Sequence, residues 1–143
     1  GMIDLTSALG ARALQRFQED LFFWLTTVDA AGCPQPRPVW FIWDGQDFLV
    51  YSQPNTRKLQ QIERNPNVAI HFDGGAMGFD VQVIHAMAEI IINPMPAHHV
   101  NDYFLKYRDQ IRRMWRTEED FSKELSIAIR LHPKRLRGTV APE

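Results

Sequence analysis

The run RPVWFIWDGQDFLVYS, residues 37–52, decides how the chain is read. Residues 37–43 are aromatic and β-branched, as strands prefer, and Asp44-Gly45 is a strong short hairpin signal. Phe48 to Ser52 then runs back as a further strand. Upstream, residues 21–28 (LFFWLTTV) read as a strand that stops at the turn Asp29-Ala-Ala-Gly32. Three strands in a meander are expected. Before them, Leu5, Leu9, Leu14 and Phe17 fall near helical spacing, so residues 5–18 read as a short amphipathic helix.

Downstream, residues 55–64 (NTRKLQQIER) predict a helix capped by Asn55 or Thr56 and stopped by Asn65-Pro66. Residues 68–72 predict a fourth strand, followed by a loop with Gly74, Gly75 and Gly78. Residues 79–92 are β-prone and apolar on both faces, as in a strand wrapped inside a barrel. Pro94 and Pro96 end that run. Residues 97–116 read as helical, Thr117-Glu-Glu-Asp120 opens another short helix as a capping box, and residues 126–131 (SIAIRL) alternate as a sixth strand. Lys134, Arg135 and Arg137 form a basic tail. The expected fold is therefore mainly β with short helices (α+β), six strands closed into a small barrel, in one domain over residues 2–143. Gly1 ahead of Met2 reads as a cloning remnant.

Lys+Arg at 16 against Asp+Glu at 17 leaves a net charge of −1, which offers no general field for nucleic acid or an anionic membrane. No apolar run approaches the ~20 residues of a membrane span, and no signal peptide opens the chain. The single cysteine, Cys33, stands between Gly32 and Pro34 in an expected exposed turn, which suits a reducing cytoplasm. Phosphate-binding glycine loops, paired C-x-x-C and the common hydrolase motifs are missing. His71, His85, His98, His99 and His132 are scattered; His71 and His85 could meet across the barrel, but no third ligand accompanies them, so no metal site is expected.

The segment from Tyr51 to Lys58 (YSQPNTRK) joins a strand end to a helix start. Arg57 and Lys58 fall in the helix's first turn, where positive charge opposes the helix dipole and an anion would reverse the sign. Free N–H groups, the Ser52 and Thr56 hydroxyls and these two cations could cradle a phosphate; the alternative is two solvated cations on an ordinary helix. If the strands flanking Asp44-Gly45 pair throughout, Arg37 comes opposite residue 52 as a third cation. Arg108, Arg112 and Arg116 recur every four residues, with Lys106 and Arg113 nearby, as a solvated face or a landing strip for an acidic ligand tail. Phe22, Phe23, Trp24, Trp40, Phe41 and Trp43 are expected in the core or at a dimer seam.

On these residues the sequence resembles the pyridoxamine-phosphate-oxidase-like, FMN-binding split-barrel superfamily, and within it the branch linked to the deazaflavin coenzyme F420. The stretches carrying the likeness are LTTVDAAGCPQPRPVWFIWDG, FLVYSQPNTRKLQQIERNPNVAIHFDG, GFDVQVIHAMAEI and IAIRLHPKRLRGTV. The resemblance implies a six-stranded split barrel that forms a homodimer with cofactor sites at the subunit interface. It implies that Ser52, Arg57 and Lys58 hold the cofactor phosphate, that Arg37, Val39 and Trp40 border the ring system or its side chain, and that Val81 and Gln82 contact the ring from the other side. The tail RLRGTVAPE departs from the C-terminal Arg/His motif of enzymes that oxidise pyridoxamine phosphate, so that activity is not expected.

The expected function is an oxidoreductase moving a hydride between FMN or F420 and a small organic substrate, with Tyr51 the one candidate acid or base. The alternative is a non-catalytic protein that stores, shuttles or senses the cofactor. Haem handling would need an axial histidine, for which His71 and His85 are weakly placed.

Overall fold

In the computed structural model, which describes residues 3–141, the Asp44 hairpin is present but the strand leading into it is broken in two. Gly1 therefore lies outside the described residues. β1 (Phe23–Val28) pairs antiparallel with β2 (Pro34–Val39) across the turn at 29–33, setting Arg37 opposite Leu25. β3 (Ile42–Trp43) pairs instead with β4 (Phe48–Ser52), with Trp43 opposite Phe48. With β5 (Asn67–His71), β6 (Val81–Ile91) and β7 (Ile127–Thr139), the sheet has seven strands in the order β2-β1-β5-β6-β7-β4-β3.

β2 and β3 thus lie at opposite edges of the sheet, yet only Trp40 and Phe41 separate them in sequence. Three Cα–Cα steps of about 3.8 Å cannot cross a flat sheet of this width. The sheet must curl until its edges meet, and that closure without a ladder at the seam is a split barrel. The expected count of six strands is corrected to seven. The expected meander is corrected too: residue 37 does not pair with residue 52, whose partner is Ile127. Pro34, Pro36 and Pro38 lack N–H donors, which suits β2 to its place at the sheet edge.

The crossover is pinned by one helix, α3 (Asn101–Met114). Tyr107 Oη accepts from the Phe41 N–H at 2.8 Å and lies 2.6 Å from the Leu21 carbonyl, and Lys106 Nζ donates to the Phe41 carbonyl at 3.0 Å. Lys106 therefore leaves the expected arginine stripe and turns inward, over the Phe41 ring at 3.7 Å.

The supposed basic tail is strand. β7 runs on to Thr139, and a register shift at His85/Ala86 sets Arg135 and Pro133 against those two residues, leaving Lys134 extra. The bulge is what lets a proline sit within the pair. α1 (Ala8–Glu19), capped by Ser7, plugs one barrel end with Phe17, which packs edge-on to Phe48 at 4.7 Å. Phe23 and Phe41 stack at 4.2 Å in the interior, whereas Phe22 and Trp24 are exposed. The expected helix over 97–116 is a 3₁₀ turn (Ala97–His99) followed by α3. With α4 (Glu118–Glu124), capped by Thr117, α3 builds a second apolar cluster of Tyr103, Tyr107, Ile111 and Phe121. None of the described helices is long and apolar enough to cross a membrane.

Candidate functional site

Ser52 ends β4, and Thr56 caps α2 (Arg57–Arg64), its Oγ1 accepting from the Leu59 N–H at 3.3 Å. Asn55 takes a left-handed turn (φ 61°) rather than the cap, so the alternative cap is settled in favour of Thr56. This short link brings the end of β4 and the start of α2 to one cleft, which Ser52, Thr56 and Lys58 all line.

Arg57 and Lys58 part company because consecutive helical residues face directions about 100° apart. Arg57 is exposed and borders a surface hollow with Asp29, Gln35 and Arg64. Lys58 is half-buried, and burial, with the Arg37 charge nearby, pushes its ammonium down to about 8. Arg37 reaches α2 from β2, not from the expected hairpin pairing. Its Nη2 lies 3.3 Å from Gln61 Oε1, which also accepts from Thr27 Oγ1 at 2.5 Å. Arg37 Nη1 is buried with no hydrogen-bond partner, and burial lowers its guanidinium's pKa. Among the described residues no carboxylate pairs with Arg37, Arg57 or Lys58. Two neighbouring, partly desolvated cations without a counter-ion are costly, and an anion removes that cost.

Lys58 opens onto a cleft of about 410 Å³. Val39, Trp40, Tyr51, Ser52, Thr56 and Lys58 line one side of it, and Tyr103, Met114, Trp115 and Phe121 the other. The structure therefore gathers six of the ten sequence-predicted residues, with Arg37 joining through Gln61 and Lys58. Val81 and Gln82 stand apart: Gln82 is buried and its Nε2 donates to Asp80 Oδ1 (3.0 Å) and the Thr139 carbonyl (3.1 Å). Tyr51 donates its hydroxyl proton to the Met95 carbonyl at 2.6 Å, and burial pushes its pKa up to about 12. It is held as a neutral phenol.

The sequence did not single out Tyr103, Met114, Trp115 or Phe121. The four-residue spacing of Tyr103, Tyr107 and Ile111 marked an apolar helix face, but not which strand it would cover. His71 and His85 do not meet across the barrel; they sit on neighbouring strands, His71 stacked on Trp24 and His85 bonded by Arg137 Nε at 3.0 Å. Among the described residues no three His, Cys, Asp or Glu converge as metal ligands. Arg112 pairs with Glu118 at 3.2 Å, while Arg116 follows Trp115 at the rim of the cleft.

The pyridoxamine 5'-phosphate oxidase family model matches residues 10–139. No protein of curated function matches the sequence. Among solved structures, an F420 reductase is 22% identical with a TM-score of 0.68, covering 86% of this chain and 94% of its own. General Stress Protein 26 of Bacillus anthracis is 20% identical with a TM-score of 0.70, covering 96% of this chain and 97% of its own. A haem-storage protein of Vibrio cholerae is 20% identical with a TM-score of 0.63, covering 92% of this chain and 95% of its own. At these identities the likeness speaks for the shared fold.

Proposed function

The chain belongs to the pyridoxamine 5'-phosphate oxidase family, and on that premise we propose that its cleft holds FMN or F420 by the phosphate and serves hydride transfer to or from a small organic substrate. The observation that carries this reading is the pair Arg37 and Lys58, half-buried, without a carboxylate, and in one case with a buried N–H left unpaired. A phosphate at the start of α2 would neutralise both and find hydroxyls at Ser52 and Thr56. Val39 and Trp40 would flank the ring system. When bound, such a cofactor supplies the ring that gives or takes the hydride; the protein orients it and keeps water out.

The reading includes a homodimer, with Val81 and Gln82 of one copy approaching the cleft of the other, since within one chain they stand away from it. F420 carries an acidic tail that FMN lacks, and Arg116, next to Trp115 of the cleft lining, favours it. A salt-sensitive preference for F420 over FMN is the expected sign of that contact.

The test is the visible spectrum of the freshly purified protein, the mass of anything released on denaturation, and titration with FMN and F420. Tight binding of either supports the assignment; binding of neither overturns it. A second reading, cofactor storage or sensing, is favoured by one observation. The titratable groups lining the cleft are Lys58, Tyr51 and Tyr103, and the phenol proton of Tyr51 is already engaged. Turnover with unsaturated carbonyl and quinone substrates separates the two readings.

A further inference from the structure

The outer face of the sheet carries unpaired charge in two separate places. Strand pairing sets Trp24 beside His71, His71 beside Val83 and Val83 beside Arg137, so one row crosses β1, β5, β6 and β7. The next row on the same face holds Thr26, Ala69, His85 and Arg135. Adjacent strands lie about 4.8 Å apart, which puts the two ends of each row roughly 14 Å from one another. At the β7 end Arg135 and Arg137 are exposed, and Arg137 Nε donates to His85 Nε2 at 3.0 Å. Among the described residues neither arginine has a carboxylate partner. At the β1 end a groove of about 920 Å³ runs past Phe22, Trp24 and His71, lined by Glu19, Asp20 and Asp73 and by no Lys or Arg. Those three carboxylates also lack an ion-pair partner among the described residues. Arg12 and Arg16, whose charges reach Asp20, are paired with Asp80, while Glu19 and Asp73 are exposed.

We propose that these are the two halves of one contact: Arg135 and Arg137 of each copy dock at the acidic groove of the other. The contact rests on the homodimer reading above and adds to it the surface and its register. A two-fold interface joins a patch to itself, so each group must find its complement on an identical molecule. A face with arginines at one end of its rows and carboxylates at the other meets that condition. With the axis between the two sheets, along the strands and midway between β5 and β6, β7 of one copy lies over β1 of the other. Arg137 then comes level with Trp24 and His71, which line the groove, and the symmetry makes the contact twice. A foreign partner would need both signs at the same separation, whereas a second copy already carries them. The competing register, β1 over β1, sets carboxylates on carboxylates and arginines on arginines. Exposed ion pairs contribute little each, but like charges face to face are costly, so charge here selects the register rather than supplying the affinity.

The test is sedimentation of wild type, of a variant with Glu19→Lys and Asp73→Lys, and of one with Arg135→Glu and Arg137→Glu. All four positions are exposed, and circular dichroism checks that each variant keeps the wild-type fold. If either double variant fails to fold, the single changes Glu19→Lys and Arg135→Glu give the same comparison. Each variant alone now carries one sign at both places, and its dimer dissociation constant should rise about a hundredfold, the effect of like charges face to face. Mixed one to one, the two should dimerise as tightly as wild type. The reversed groove of one then meets the reversed arginine positions of the other, and the unaltered halves match as before. Variants that dimerise alone as tightly as wild type overturn the contact and leave a homodimer through another surface standing. A mixture that stays monomeric also overturns it, since the loss then comes from damage and not from charge. A monomeric wild type, whether or not its groove binds an oligoarginine peptide, overturns the contact and the homodimer reading together. Titration of the same protein with FMN reads the phosphate cradle separately.

Discussion

Lys58 is where the chemistry of the site is concentrated in one atom. Its ammonium is held down to about 8 by burial and by Arg37. Because this folded value lies below the unfolded 10.5, the unfolded chain binds the extra proton between the two. Stability of the empty protein therefore rises as pH climbs from about 8 towards 10.5. Affinity for phosphate runs the opposite way, falling as pH passes about 8 and the cation is lost. Lys58→Ala should weaken FMN or phosphate binding by about 1.5–3 kcal/mol, the scale of a charged hydrogen bond, and flatten that pH dependence in a calorimetric titration; unchanged affinity removes the cradle. Asp80 is the acidic counterpart. The Arg12 guanidinium hydrogen-bonded to it, with Gln82 and the Arg16 charge, holds its carboxyl down to about 2 against an unfolded 3.8. Its stabilisation is full above the unfolded value and lost as pH falls towards the folded one. Asp80→Asn should therefore narrow the stability difference between pH 5 and pH 2 in urea unfolding. Ser52, Thr56 and Lys58 were legible in the sequence because strand end, cap and helix start follow each other along the chain. Arg37 was expected at the same place for a wrong reason. The side chain arrives through Gln61 from the other edge of the sheet, which no local pattern encodes.

At the scale of elements, local signals located most strands and missed how they pair. Asp44-Gly45 does turn a hairpin, with Gly45 at φ 97°, but only Ile42 and Trp43 belong to its first arm. The run 37–43 looked continuous because both halves are aromatic and β-branched. What divides it is tertiary: Tyr107 and Lys106 hold Phe41 at the seam. Tyr107→Phe would strip the Phe41 N–H of its partner, and a buried donor left unpaired should lower stability by about 1–3 kcal/mol. A chemical-denaturation midpoint that does not move would mean another group takes its place. The alternation that marks the last strand in the sequence ends at Leu131, whereas the bulge at His85/Ala86 lets β7 continue through Pro133 to Thr139. The last residues of that pairing depend on Gly138, at φ 141°, where an added Cβ would fall 1.8 Å from the Val81 carbonyl oxygen. Gly138→Ala must push β7 off the start of β6. Hydrogen exchange at Val81 and Thr139 should rise sharply, with that at Ile84 and Leu131 little changed.

For the whole molecule, one face of the curled sheet remains to be explained. Leu25, Ile70 and Ile84 point inward and are fully buried, so by alternation Trp24, His71, Val83 and His85 share the outer face. Arg137 and Arg135, opposite Val83 and His85, bring charge to one end of that face, but its other end is apolar. Trp24 is 37% exposed and stacks on His71, and Leu21 and Phe22 beside it are exposed. Apolar surface of this kind on a sheet is stable in water when a second copy covers it. The cofactor reading asks for the same thing, because Val81 and Gln82 lie apart from the cleft in one chain. The proposed homodimer, formed two-fold through this face, would meet both demands. Wild-type protein should sediment as a dimer at micromolar concentration. Trp24→Glu, which buries no core contact, should sediment as a folded monomer and lose FMN or F420 affinity although every residue of its own cleft is intact. A monomeric wild type that still binds the cofactor would separate the two demands, leaving the phosphate cradle standing within a single chain and the outer face without a second copy to cover it.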